Sequence, residues 1–225
     1  MKPFRHKMRP DIEVQIKKMV IATTSVAAIE EWKDASENQN VPLYNYRGDH
    51  VEQVVNLAKH LASKIDADIE VVSLAAWFHD FAKPGLGGVA IRDHGVASAE
   101  LAKDWLLKNG FEELLIRKVC DVIKKHVGLT LEAPLSPIEA QILWEADKIH
   151  KLGLVGLLQY ILNGIRIYPG NSLLEFHTKL VEFLPLAEKI ARSVVTERGK
   201  ELAIERLETL QNLTRILGSE LSSDS

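Results

Sequence analysis

Three observations predict an all-α fold. Apolar residues recur at helical spacing in one segment after another, capping residues with Gly and Pro punctuate those segments, and no strand-length stretch alternates apolar with polar residues. There is no internal repeat and no low-complexity tract. With 225 residues, 46% of them hydrophobic, the chain can bury a full core. The expected division is an N-terminal arm, helix and loop over residues 1–48, a helical core over 49–170, a C-terminal helical extension over 171–217 and a disordered tail over 218–225.

Composition excludes several classes of function. A net charge of −3 gives no reason to expect a nucleic-acid polymer or an anionic membrane as partner. The single cysteine, Cys120, rules out an internal disulfide framework, fits a reducing compartment and reads as a small buried hydrophobe. Residues 1–10 are basic, but Asp11, Glu13, Lys17 and Lys18 interrupt any signal-peptide core, and the most apolar run, LGLVGLL at 152–158, is too short to span a bilayer. The expected location is the cytoplasm.

Taken in order, residues 1–10 read as a solvated arm. A helix over 11–33 has Ile12, Ile16, Met19, Val20 and Thr23 on one face. The polar stretch 34–48, with Pro42 and two tyrosines, is long for a plain connection, and such loops often border a functional site. Asp49 then caps a helix with Glu52 as its partner. Val51, Val54, Val55, Ala58, Leu61, Ala62 and Ile65 form that helix's core stripe, with His50 at its edge and His60 on the wet side. In the next helix Ile69, Val72, Ala76, His79 and Lys83 share a stripe with Asp80 at its margin, until Pro84, Gly85, Gly87 and Gly88 end it.

Asp93 caps a helix beginning at His94, whose face continues through Ala97, Leu101 and Trp105 to a stop at Asn109-Gly110. A helix from about Glu112 aligns Leu115, Val119, Val122 and His126 and ends at Gly128. Ser136-Pro137-Ile138-Glu139 is a capping-box sequence opening a helix in which Asp147 sits among Ala140, Leu143 and Trp144. Ser172 and Glu175 make another box, followed by Phe176, Leu180, Phe183 and Leu184, with a bend or break near Pro185. Residues 188–217 continue as a hairpin or one long helix, and 218–225 fray.

The predicted helices therefore turn His50, His79, Asp80, His94, His126 and Asp147 inward. A lone buried His-Asp pair is ordinarily a satisfied core pair, but six such groups are expensive to bury unless they bind something. Imidazoles with carboxylates suit Mn²⁺, Fe²⁺, Zn²⁺ or Ni²⁺, whereas all-oxygen ligation would indicate Mg²⁺ or Ca²⁺. His50, His79, Asp80 and Asp147 can hold one ion. His94 and His126 can complete a second metal site with Asp80 bridging, or contact a substrate phosphate. Lys83, one turn beyond His79, is placed to bind phosphate as a point charge, and Arg47 is a weaker candidate for that task.

The order H…HD…H…H…D, with HDFAKPG after an apolar helix and WEADKIHKLG around residue 147, resembles the HD superfamily of metal-dependent phosphohydrolases over about residues 48–158. The SAELA segment and the helical C-terminal part resemble its small stand-alone hydrolases. The resemblance implies an HD-domain helical bundle with metal ligands His50, His79, Asp80 and Asp147 and one or two divalent ions; Asp80 and Lys83 are the residues expected to carry catalysis. It also implies that His94 and His126 serve a second ion. The expected partner is a small phosphorylated substrate, a nucleotide by default, with a homo-oligomer also open. The chain lacks the GYP motif of cyclic-dinucleotide phosphodiesterases, an alarmone-type synthetase domain, the HDxGHxPFGH-like pattern of dNTP triphosphohydrolases and the acidic residue after HD of the deoxynucleotidase type. Two other readings stand beside hydrolysis: a diiron HD-fold oxygenase and a non-catalytic HD-like interaction module.

Overall fold

The computed structural model describes residues 10–35, 41–82 and 93–222, and every regular element among them is a helix. In chain order these are α1 (Pro10–Trp32), α2 (Tyr46–Ala62), α3 (Ile69–Phe78), α4 (His94–Lys108), α5 (Glu113–Lys125), α6 (Ile138–Ile149), α7 (Gly153–Ile167), α8 (Leu173–Ser193) and α9 (Glu197–Ser222). They fall into two compact units, Met1–Gly128 with Leu135–Asp147, and Leu129–Pro134 with Lys148–Ser225.

The first unit is built round α3. Asp68 caps it by accepting from the Val71 amide at 3.3 Å. From Val71 to Phe78 every residue is buried, so this helix has no wet face, and α1, α2, α4 and α5 all pack against it. The helix expected to run to Pro84 ends at Phe78: of the inferred stripe Val72 and Ala76 lie in its buried stretch, His79 is its C-cap, and Lys83 lies outside the described residues. In α1 the buried residues are Ile12, Ile16, Val20, Thr24, Ala28 and Trp32, a strict four-residue spacing. Thr24 replaces the expected Thr23 because its hydroxyl is satisfied by the Val20 carbonyl at 2.8 Å.

α2 starts one turn earlier than expected. Asn45, not Asp49, is the cap, accepting from the Gly48 amide at 3.0 Å while its amide nitrogen donates to Thr24 and Ser25. Asp49 accepts from the Tyr44 hydroxyl at 2.8 Å, and Glu52 pairs with Lys17. Gly48 is required here: a Cβ would stand 2.7 Å from Asn45 Nδ2 and 2.9 Å from Thr24 Oγ1. His60 is exposed, as its angle predicted.

α4 and α5 pair closely. The buried face of α4 is Gly95, Ser98, Ala99, Ala102 and Leu106, whereas Leu101, expected inside, is 43% exposed. Small residues let α5 approach, and Cys120 of α5 is buried with its thiol against the Ala99 carbonyl at 3.3 Å. Burial pushes that thiol's pKa up, which suits an inert packing role. α6 is buried from Ala140 to its end. Its Glu139 does not close a box on Ser136; it accepts from the Asp68 amide at 2.8 Å and so ties the start of α6 to the start of α3.

In the second unit Ser172 and Glu175 form the expected reciprocal box at α8. α8 passes through Pro185 without a break, because Pro185 and Val181, whose carbonyl loses its partner, both lie on the exposed face. The chain turns at residues 194–196, so the C-terminal part is a hairpin of α8 and α9, and α9 runs on through Gly218 to Ser222. The sequence reading assigned no element to α7, which buries Gln159 and exposes Leu154, Leu158, Leu162 and Ile165.

Candidate metal centre

Backbone geometry delivers the polar groups one by one. His79 is the C-cap residue of α3 and Asp80 follows it, so both project from the end of the most buried helix. His50 lies in the second turn of α2, Asp147 in the last turn of α6, His94 opens α4, and His126 is the C-cap of α5. Gly95 makes the last two neighbours, since a Cβ there would be 2.7 Å from the Val127 side chain and 3.3 Å from the Ile123 carbonyl. All six residues, His50, His79, Asp80, His94, His126 and Asp147, are at most 7% exposed.

Asp80 is the hub. Its Oδ1 lies 3.2 Å from His94 Nε2 and 3.6 Å from His126 Nε2, and its Oδ2 lies 3.6 Å from both His50 Nε2 and His79 Nε2. Asp147 Oδ1 stands 3.2 Å from His50 Nε2. His94 Nε2 and His126 Nε2 are 3.0 Å apart. Two ligand groupings emerge, His50 with His79 and Asp147, and His79 with Asp80 and His126, each with donor atoms within 4.8 Å of one another.

The ring orientations are set from behind. His79 Nδ1 donates to the Ala76 carbonyl at 2.8 Å and His126 Nδ1 donates to the Ile123 carbonyl at 2.6 Å. A carbonyl can only accept, so the proton sits on Nδ1 and a neutral ring presents the Nε2 lone pair inward. Burial pushes the His79 pKa down to about 4, against the opposing pull of Asp80. His79 Nε2 is buried without a hydrogen-bond partner among the described residues. An acceptor in that state is costly in a core unless a cation meets it. Donor set, tautomers and this atom together fit a divalent transition metal.

Of the remaining candidates, Arg47 makes a bidentate pair with Glu31 of α1 at 2.7 and 2.8 Å, with both side chains about 15% exposed. Lys83 lies outside the described residues. Sequence reasoning missed Tyr46, whose ring stacks on His50 with centroids 5.8 Å apart and planes 16° from parallel. It also missed His150, buried with Nε2 at 2.7 Å from Gln159 Oε1 in the second unit. The available signal for Tyr46 was its place four residues before His50, once both stand in one helix.

Residues 47–152 match the HD domain family. YpgQ of Bacillus subtilis, solved in complex with ADP, superposes with a TM-score of 0.64 at 19% identity, covering 95% of this chain and 100% of that one. An HD-superfamily hydrolase from Bacillus thuringiensis superposes with a TM-score of 0.60 at 20% identity, covering 92% and 99%. A tRNA (cytidine(56)-2'-O)-methyltransferase from Thermoplasma volcanium is 28% identical over 89 residues, or 40% of this chain and 23% of that protein. This chain thus spans about a quarter of the methyltransferase's length. Among the described residues no helix is long and apolar enough to cross a membrane.

Proposed function

With the chain carrying an HD domain of the HD superfamily over residues 47–152, we propose that it is a metal-dependent phosphohydrolase. Its substrate class is a phosphoester or phosphoanhydride, with nucleotides first. The observation that carries the reading is Asp80, one buried carboxylate within 3.2–3.6 Å of four imidazole nitrogens. An interaction module has no use for such a cluster, and burying it without a ligand is costly.

His50, His79, Asp80 and Asp147 would hold the divalent ion, of Mn, Fe, Zn or Ni type. When bound, such an ion supplies a water of lowered pKa and polarises a phosphoryl oxygen. The chain's own contribution is orientation and proton handling. The Ala76 carbonyl keeps the proton of His79 on Nδ1, leaving Nε2 free to ligate at neutral pH. Asp80 has the carboxylate best placed to accept a proton from an attacking water, and its two oxygens face both ligand groupings. His94 and His126 serve a second ion; in the alternative role at a phosphate oxygen, His94 would donate its N–H, because the His126 proton is held by the Ile123 carbonyl. Lys83, three residues past Asp80, supplies positive charge for the substrate phosphate. The ADP complex of YpgQ, a protein of the same fold, supports a nucleotide as the first substrate to try. Arg47, already paired with Glu31, would have to leave that pair to reach a phosphate. A soluble, cytoplasmic setting fits this chemistry.

The test is direct. Chelator-stripped protein is reloaded with Mn²⁺, Fe²⁺, Zn²⁺ or Ni²⁺ and screened against nucleotides and simple phosphoesters for release of phosphate or pyrophosphate, with and without oxygen. Release under anaerobic conditions is expected. Oxygen-dependent turnover with a diiron absorption band would transfer the site to oxygenase chemistry.

A further inference from the structure

The segment before His50 is anchored at almost every residue. Tyr44 accepts through its carbonyl from Trp32 Nε1 at 2.9 Å and donates its hydroxyl to Asp49. Asn45 donates to Thr24 and Ser25, and Arg47 holds Glu31. Tyr46 stands between these anchors, and its role is of another kind. Its ring is half-buried and lies nearly parallel to the His50 imidazole, at 5.8 Å and 16°, the one parallel stack among the described aromatic pairs of the centre. The other pairs there are tilted or edge-on, with interplanar angles of 57° to 89°.

We propose that Tyr46 is a positioning residue for His50: its π-face, rather than its hydroxyl, sets the imidazole plane and favours the positive charge the ring acquires on ligation. Two arguments support this. Tyr46 and His50 are four residues apart in α2, so their side chains share one helix face, and the backbone of Tyr46 is held between the N-cap Asn45 and the ion-paired Arg47. An aromatic face also attracts a ring that carries positive charge, and more strongly where water is excluded, as it is around a His50 that is 1% exposed. The inference rests on the metal-binding role proposed for His50.

The test measures metal affinity rather than turnover. Chelator-stripped wild type, Tyr46→Phe, Tyr46→Leu and His50→Ala are titrated with Zn²⁺ against a chromophoric chelator, and the Co²⁺ forms are compared by visible absorption. Tyr46→Phe should bind as wild type does. Tyr46→Leu, which keeps an apolar side chain without a π-face, should weaken binding about tenfold, the lower range for outer residues that orient a ligand, and shift the Co²⁺ bands. Wild-type affinity and bands in Tyr46→Leu would overturn the proposal. So would a Tyr46→Phe as weak as Tyr46→Leu, which would assign the effect to the hydroxyl. A wild-type protein that takes up no metal overturns the reading of His50 beneath it, and that outcome is recognisable because His50→Ala would then be indistinguishable from wild type.

Discussion

His94 Nε2 and His126 Nε2 face each other at 3.0 Å in the core, and the His126 proton is held on its other nitrogen by the Ile123 carbonyl. Without a ligand, His94 has to donate to His126. With a cation between or beside them, both lone pairs can turn to it. His126→Ala is therefore expected to lower metal content while leaving an ion at His50, His79 and Asp147. In a two-ion centre that is a fall from about two equivalents to about one. Metal analysis of the purified variant decides, and complete loss of metal would show that the two groupings are not separable.

Asp80→Ala should remove activity altogether. Losing the carboxylate shared by both groupings forfeits several kcal/mol of transition-state stabilisation, so a fall of about a thousandfold or more in kcat/KM is expected. Helical content by circular dichroism should be retained, since Asp80 lies beyond the end of α3. A folded, metal-replete variant with normal turnover would sink the proposal.

Lys83→Ala should weaken catalysis and leave metal content unchanged. A lost hydrogen bond to a charged phosphate costs about 1.5–3 kcal/mol, or about ten- to a hundredfold in kcat/KM. A change below about twofold would leave phosphate recognition to the metal or to Arg47.

The metal-free protein should lose stability as the pH falls. The folded pKa of His79 is about 4 against an ordinary 6.5, so between those values the unfolded chain binds more protons than the folded one. Stability contributed by the neutral ring is complete above about pH 6.5 and is lost as pH falls towards 4. One group of this kind gives a slope of up to about 1.4 kcal/mol per pH unit. Urea unfolding of the stripped protein near pH 7 and near pH 5, compared with His79→Gln, isolates the slope. Equal slopes in the two proteins would remove His79 as its source.

Arg47→Met is expected to destabilise by about 2 kcal/mol, the range for charge-assisted bonds, with Glu31→Gln adding little to it in a double-mutant cycle. Unaltered stability together with a raised KM would return Arg47 to phosphate recognition.

Much of this centre was legible because burying charge is expensive. Asp147 among Ala140, Leu143 and Trp144, and His79-Asp80 at the end of an apolar helix, announce themselves by the company they keep. Caps were less legible, since several residues can compete for the same amide. Asp49 with Glu52 has the spacing of a box, but Asn45 reaches the amide first while bonding Thr24 and Ser25, contacts that are remote in sequence. Glu139 fails as a box partner for a similar reason, being taken by Asp68. α7 escaped because apolar residues lie on both its sides, with Leu157 and Gln159 inside and Leu154, Leu158, Leu162 and Ile165 exposed. A spacing argument that equates apolar with buried cannot find such a helix.

The burial of α3 on every side has a consequence in time. The amides of residues 73–78 can meet solvent only when the helices packed round them part, so their deuterium exchange follows the opening of the whole unit and not local fraying. His79 and Asp80 hang from the end of that helix, and Phe81 is bonded back to the Phe78 carbonyl at 3.1 Å. Whatever these two side chains grip is moored to the slowest-moving part of the unit, while α2, α4 and α5 bring their histidines to it from the periphery.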